Sequence, residues 1–180
     1  MLQPSDELQD IIGHSNPMLR YKSRTETNRI IIHDSHTPPE VGQAHEVSSW
    51  ALEAADNAVY MGLLSIGYHY IIERDGKIVC GRHREKIGSH TPGFNMDSIG
   101  ICWVGGRDHE GGPEENITPK QYKSLLRLLN NLRADYGKPL RIIGHSEIQK
   151  YRDASLPPCP QLDMALLRED LVLYEQGIEL

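Results

Sequence analysis

The sequence predicts a single α/β domain: a mixed central β-sheet flanked by helices, with a cleft where the strand ends meet the loops. Three observations carry that expectation. Short apolar runs from Arg29 to His33, Tyr68 to Arg74, Ile99 to Val104 and Leu140 to Gly144 alternate with stretches of helical periodicity, the pattern of strands covered by helices. Asp75-Gly76 separates two strand-like runs and is a hairpin signal, so the sheet cannot be purely parallel. A length of 180 residues suits one domain and is short for two.

Residues 1–28 read as a polar N-terminal extension with one short helix, Ser5 to Ile12, whose expected role is packing or tethering at the surface. The domain proper spans 29–180. Its first strand closes at His33, and Pro38 and Pro39 then break the chain before a helix from about Ala44 to Tyr60, rich in alanine and leucine. Tyr68 to Arg74 and Lys77 to Cys80 form the hairpin. Period-two alternation places Tyr68, Tyr70 and Ile72 on one face and His69 and Ile71 on the other.

Gly81 to Asn95 is a loop rich in glycine, charge and histidine, long enough to line a cleft. After the strand Ile99 to Val104, Gly105-Gly106 and Gly111-Gly112-Pro113 mark a second loop. Thr118-Pro119-Lys120-Gln121 is a helix start, with threonine as cap, proline in the first turn and glutamine completing a capping box. Tyr122, Leu125, Leu126, Leu129, Leu132 and Tyr136 repeat at helical spacing as a core stripe, and Gly137 can end the helix. A strand leading to His145, a loop and a last helix from about Leu162 to Tyr174 complete the chain.

An apolar fraction of 38% and a charged fraction of 24% describe an ordinary globular protein and exclude a disordered one. With 25 acidic against 19 basic residues, the net charge of −6 disfavours attraction to nucleic-acid phosphates, so no nucleic-acid partner is expected. No stretch approaches the ~20 apolar residues that span a membrane, and residues 1–7 lack a basic segment followed by an apolar one, so neither membrane insertion nor a signal peptide is expected. The three cysteines cannot pair completely. A Cys80–Cys102 disulfide is one reading; a reduced cytosolic origin is the simpler one.

His33, His145 and Cys159 each lie in a context suited to holding one metal ion. The two histidines follow apolar strands, and prolines 157, 158 and 160 stiffen the loop around Cys159. Two imidazoles and a thiolate suit zinc, and three protein ligands leave a fourth position open, as hydrolytic rather than structural sites do. Singly, each has a plainer reading: a hydrogen-bonded histidine, a small buried cysteine. Their wide spacing matches no compact zinc finger.

The surrounding text resembles the zinc amidases of the amidase-2 and peptidoglycan-recognition-protein family, and within it the branch of T-odd coliphage lysozymes. The matching segments, in order, are Ile31-Ile32-His33, Gly67 to Ile72, Arg74-Asp75-Gly76, Gly88-Ser89-His90, Ser98 to Gly106, Gly144-His145-Ser146-Glu147 and Pro158-Cys159-Pro160, together covering about residues 29–163. The resemblance implies one Zn2+ per chain on His33, His145 and Cys159, a catalytic Tyr68, a substrate contact at His90, and peptidoglycan as substrate, cut at the amide between N-acetylmuramic acid and L-alanine. It further implies a phage endolysin made in the host cytoplasm that acts on the cell wall after release. A contact with phage RNA polymerase, a second activity of those lysozymes, is not carried over, because the N-terminal region differs.

Zinc would polarise the amide carbonyl and acidify water, and the Tyr68 hydroxyl could serve the oxyanion or the leaving nitrogen. Read from its strand alone, Tyr68 is a core aromatic. The lysozymes carry a lysine two residues before the cysteine ligand, where this chain has Pro157. Lys150 or Arg152, in the longer loop here, is an expected auxiliary cation; both could equally be solvated charges. The alternatives to an enzyme are a non-catalytic peptidoglycan-binding module, disfavoured by retention of all three candidate ligands and Tyr68, and a regulatory binding protein.

Overall fold

The computed structural model describes residues 8–10, 21–41, 66–148, 153 and 155–179. Six strands, β1 (Leu8–Asp10), β2 (Arg29–Asp34), β3 (Tyr70–Ile72), β4 (Ile78–Cys80), β5 (Ser98–Trp103) and β6 (Arg141–Gly144), form one sheet in the order β1-β4-β3-β5-β2-β6. Only β3 and β4 pair antiparallel, across the Asp75-Gly76 turn; every other pairing is parallel. The sheet is therefore mixed.

β2 lies between β5 and β6, and its isoleucines at 30, 31 and 32 are fully buried, as a run apolar on both faces requires. Helix α1 (Pro119–Tyr136) and helix α2 (Met164–Glu175) cover one face. Leu125, Leu128, Leu129 and Leu132 of α1 and Leu167 and Leu171 of α2 join Ile30, Ile32, Ile99, Ile101 and Trp103 in the main core. Ile66, Ile71, Val79 and Val104 form a smaller cluster.

The expected start of α1 is borne out in detail. Thr118 Oγ1 accepts from the Gln121 amide at 3.1 Å, and Gln121 Oε1 accepts from the Thr118 amide at 3.0 Å. Gln121 Nε2 also donates to the Ile72 and Val104 carbonyls at 3.0 and 2.9 Å, tying the helix to the ends of β3 and β5. Gly137 ends the helix at φ 62°, where any other residue would be strained.

Two expectations are corrected. Residues 8–10 are a strand rather than part of a helix: they pair with β4, whose outer edge offers backbone groups that a parallel strand satisfies. Tyr68 does not share a face with Tyr70 and Ile72, because β3 begins only at Tyr70; Tyr68 packs against the smaller cluster while Tyr70 and Ile72 belong to the main one. None of the three cysteines is in a disulfide. The expected helix from Ala44 to Tyr60 lies outside the described residues, and no helix among those described is long and apolar enough to cross a membrane.

Candidate metal centre

Parallel pairing of β2 with β6 sets Ile32 opposite Gly144, so the next residues, His33 and His145, lie side by side where that pairing ends. Their ring centroids are 4.5 Å apart. Cys159 reaches the same point from the loop before α2, held by a pair of bonds: its amide donates to Ser146 Oγ at 2.6 Å, and the Ser146 amide donates to its carbonyl at 2.7 Å. Two residues on, the Gln161 amide donates to Asp34 Oδ2 at 2.5 Å, fastening the loop to the end of β2. Each ligand segment is thus tied to another by protein hydrogen bonds.

His33, His145 and Cys159 offer ligand atoms that all lie within 4.8 Å of one another, with Cys159 Sγ 3.9 Å from His33 Nδ1. Bonds of ~2.0–2.3 Å from a tetrahedral zinc put ligand atoms about 3.3–3.8 Å apart, so only a small closing motion separates this arrangement from a bound site. His33 and Cys159 are buried and His145 is half-buried. Burial, followed by the neighbouring His145 and His36, pushes His33 well below the ordinary imidazole range, which keeps it neutral and able to ligate. The donor set and its geometry fit zinc.

A second metal-capable group, Asp34, His36 and Cys159, overlaps the first at Cys159. Here the carboxylate is committed elsewhere: Asp34 Oδ1 accepts from the His36 amide at 3.1 Å and pairs with His36 Nδ1 at 2.6 Å, while Oδ2 holds Gln161. Its place is in the scaffold. The Tyr68 ring lies 5.1 Å from that of His33. Burial, then the charges of Cys102, Cys159 and Asp34, push the phenol well above its usual range, so the hydroxyl keeps its proton.

His90 is buried beneath His33, with ring centroids 5.1 Å apart and nearly perpendicular. Its Nδ1 is 3.1 Å from His33 Nε2 and its Nε2 is 3.4 Å from Ser98 Oγ. Lys150 and Arg152 lie outside the described residues. Asp34, Ser146 and Gln161 were missed as site residues; for Asp34 and Ser146 a polar side chain next to a candidate ligand was the available signal, whereas Gln161 contributes its backbone amide and carried none. Glu147 was missed too. It accepts from the Gly144 amide at 2.7 Å and takes a bidentate Arg168 at 3.0 Å, bracing the His145 turn against α2.

Residues 22–160 match the family model described as N-acetylmuramoyl-L-alanine amidase, Amidase_2. The endolysin of Escherichia phage T7 is 39% identical over 164 residues, covering 88% of this chain and 98% of that protein. The endolysin of Enterobacteria phage K11 is 36% identical over 148 residues, covering 81% and 88%. Among solved structures, the N-acetylmuramoyl-L-alanine amidase LysC from Clostridium intestinale URNW superposes with a TM-score of 0.64 at 22% identity, over 98% of this chain and all of that one.

Proposed function

The chain belongs to the Amidase_2 family and is an N-acetylmuramoyl-L-alanine amidase that hydrolyses peptidoglycan; on that premise we propose that it works with one zinc held by His33, His145 and Cys159 and with Tyr68 as its proton-bearing catalytic side chain. The observation that carries the reading is the convergence of three ligand atoms within 4.8 Å, on segments already fastened to one another. The chemistry a bound zinc supplies there is Lewis acidity, which polarises the amide carbonyl and makes water acidic near neutral pH.

Hydrolysis breaks the bond between the lactyl carbonyl carbon of N-acetylmuramic acid and the nitrogen of L-alanine. Water oxygen ends on the carbon and a proton ends on the nitrogen. Negative charge develops on the carbonyl oxygen, and the Tyr68 hydroxyl, kept protonated by burial on a ring 5.1 Å from that of His33, is the side chain suited to donate a hydrogen bond to it. The Asp34–Gln161 and Ser146–Cys159 bonds keep the cradle from rearranging as charge moves. Lys150 or Arg152 serves as the auxiliary cation that Pro157 cannot supply.

The kinship with phage endolysins supports a biological role in host lysis, with synthesis in the host cytoplasm and action on the wall after release. A non-catalytic peptidoglycan-binding module is the weaker reading, because all candidate ligands and Tyr68 are present and close together. The test is digestion of purified peptidoglycan by metal-stripped protein and by protein reloaded with zinc, followed by end-group chemistry. The expected products are new L-alanine amino groups, only after reloading; full activity of the stripped protein would overturn the zinc reading, and binding without any new ends would favour the module.

A further inference from the structure

The ring of His90 occupies a slot made for it. A Cβ on Gly100, in the middle of β5, would lie 2.5 Å from His90 Cγ, and one on Gly88 would lie 2.6 Å from His90 Cδ2, so a side chain at either position would expel the ring. His69 stands edge-on at 5.7 Å and is itself pinned, accepting from the Gly100 amide through Nδ1 at 2.9 Å with Nε2 2.8 Å from the Lys86 carbonyl. The ring of His90 therefore has little freedom of orientation. What its two nitrogens meet is decided by the scaffold.

Hydrogen-bond polarity runs through that ring from a fixed starting point. The Phe94 carbonyl can only accept, and Ser98 Oγ, 2.6 Å away, commits its single hydrogen to it. The serine oxygen can then only accept from His90 Nε2, 3.4 Å away, which puts the imidazole hydrogen on Nε2. A neutral imidazole has one N–H, so His90 Nδ1 is an acceptor. It faces His33 Nε2 at 3.1 Å, which must be the donor. His33 Nδ1 is left with its lone pair, and that is the nitrogen 3.9 Å from Cys159 Sγ.

Thr91 Oγ1 touches the same junction, 3.0 Å from His90 Nδ1 and 3.4 Å from His33 Nε2. It can donate to the first or accept from the second without reversing the chain. Reversal would instead aim the lone pair of His90 Nε2 at an oxygen that has already given its hydrogen away. We infer that His90 is a positioning residue: it holds His33 in the Nε2–H tautomer and so presents the Nδ1 lone pair to the metal. The inference rests on the zinc reading proposed above, but the tautomer belongs to the protein with or without metal.

The direct test is long-range proton–nitrogen correlation NMR on 15N-histidine-labelled, metal-free protein, with the His33 signals assigned by comparison with His33→Gln. The expected result is an Nε2–H tautomer for His33 before zinc is added and the same tautomer after, with the shift on Nδ1. An Nδ1–H tautomer in the metal-free protein would overturn the inference, even if zinc binds and activity is normal. Conversely, failure of wild-type protein to bind zinc would sink the metal reading while leaving the tautomer readable.

His90→Phe keeps a planar ring but removes the acceptor. It should leave His33 as a tautomer mixture and weaken zinc binding about 10- to 100-fold in chelator competition. Ser98→Ala, which deletes only the far link, should give a smaller loss in the same direction and keeps the idea testable if the phenylalanine variant does not fold. The sequence-based expectation that His90 contacts substrate makes the opposite forecast, a raised KM with zinc affinity and tautomer unchanged; that result would also overturn the positioning role.

Discussion

Two polar clusters sit on the same end of the sheet, beyond the carboxyl ends of its parallel strands, and they are built on different principles. Past β3 and β5, both polar functions of the buried Gln121 side chain are answered: Oε1 accepts from the Thr118 amide and from Arg74 Nη1, and Nε2 serves two carbonyls. Past β2 and β6, the polar chain that starts at the Phe94 carbonyl ends where ligand-capable atoms of His33, His145 and Cys159 come within 4.8 Å of one another. A closed circuit is scaffold, and removing a member costs stability. Convergent ligand-capable atoms suit a cation, and on the proposed zinc reading removing a member costs chemistry.

The contrast is broken most severely by Cys159→Ala. Zinc content measured by metal analysis should fall from one per chain to near zero and turnover to background, while far-ultraviolet circular dichroism stays as in wild type. Full zinc occupancy in that variant would take Cys159 out of the site. Next comes Tyr68→Phe, which deletes one oxygen: turnover should drop ~100-fold, about 2.7 kcal/mol of transition-state stabilisation, with zinc content retained. Unchanged turnover would make Tyr68 a packing residue.

In the closed cluster the outcome inverts. Gln121→Leu keeps the volume but removes one of the donors on the Ile72 and Val104 carbonyls, which keep the Val104 amide and Arg74, and takes the acceptor from the Thr118 amide; urea unfolding should show a loss of about 2 kcal/mol with zinc content and turnover per folded molecule intact. A variant that lost zinc instead would mean the two clusters are coupled. A pH dependence sharpens the same division. Burial pulls His69 from the ordinary imidazole value of 6.5 down to about 3, so the folded protein binds fewer protons than the unfolded chain between those values.

Its stabilising contribution is therefore complete above pH 6.5 and drains away as pH falls toward 3, at up to ~1.4 kcal/mol per pH unit. His69→Gln should flatten that part of the stability profile in urea titrations of metal-free protein; an unaltered slope would show that other groups dominate acid unfolding. The smallest effect is expected from the auxiliary cation. Lys150→Ala and Arg152→Ala, assayed separately with zinc content as control, should identify the contributing residue by a ~10-fold loss of turnover. Wild-type turnover in both would mean the site works without a cation from this loop.

Signals local in sequence were legible. The isoleucine run ending at His33, the Asp75-Gly76 hairpin and the Thr118–Gln121 capping box each depend on residues within a few positions, and each forms where expected. Strand β1 was missed because three residues carry no period of their own; they are a strand only because β4 has an open edge. Tyr68 was put on the wrong face because alternation was extended two residues past the true start of β3. Of the site, the residue types that ligate zinc were recognisable one by one, whereas the Asp34–Gln161 clamp and the His33–His90 contact join residues 127 and 57 positions apart. Both contacts are made by loops that return to β2 from far along the chain.

The position of β2 between β5 and β6 also has a consequence in time. On a ribosome, β2 and β5 emerge long before β6, and at ~5–20 residues per second the roughly forty residues separating the ends of β5 and β6 take on the order of 2–8 s to make. Throughout that interval the Ile30–Ile32 backbone lacks one neighbour, an apolar edge on which nascent chains can aggregate. Through the same interval a nascent chain carries His33 without His145 and Cys159, so the candidate metal centre is assembled only once the last of its three segments has been made.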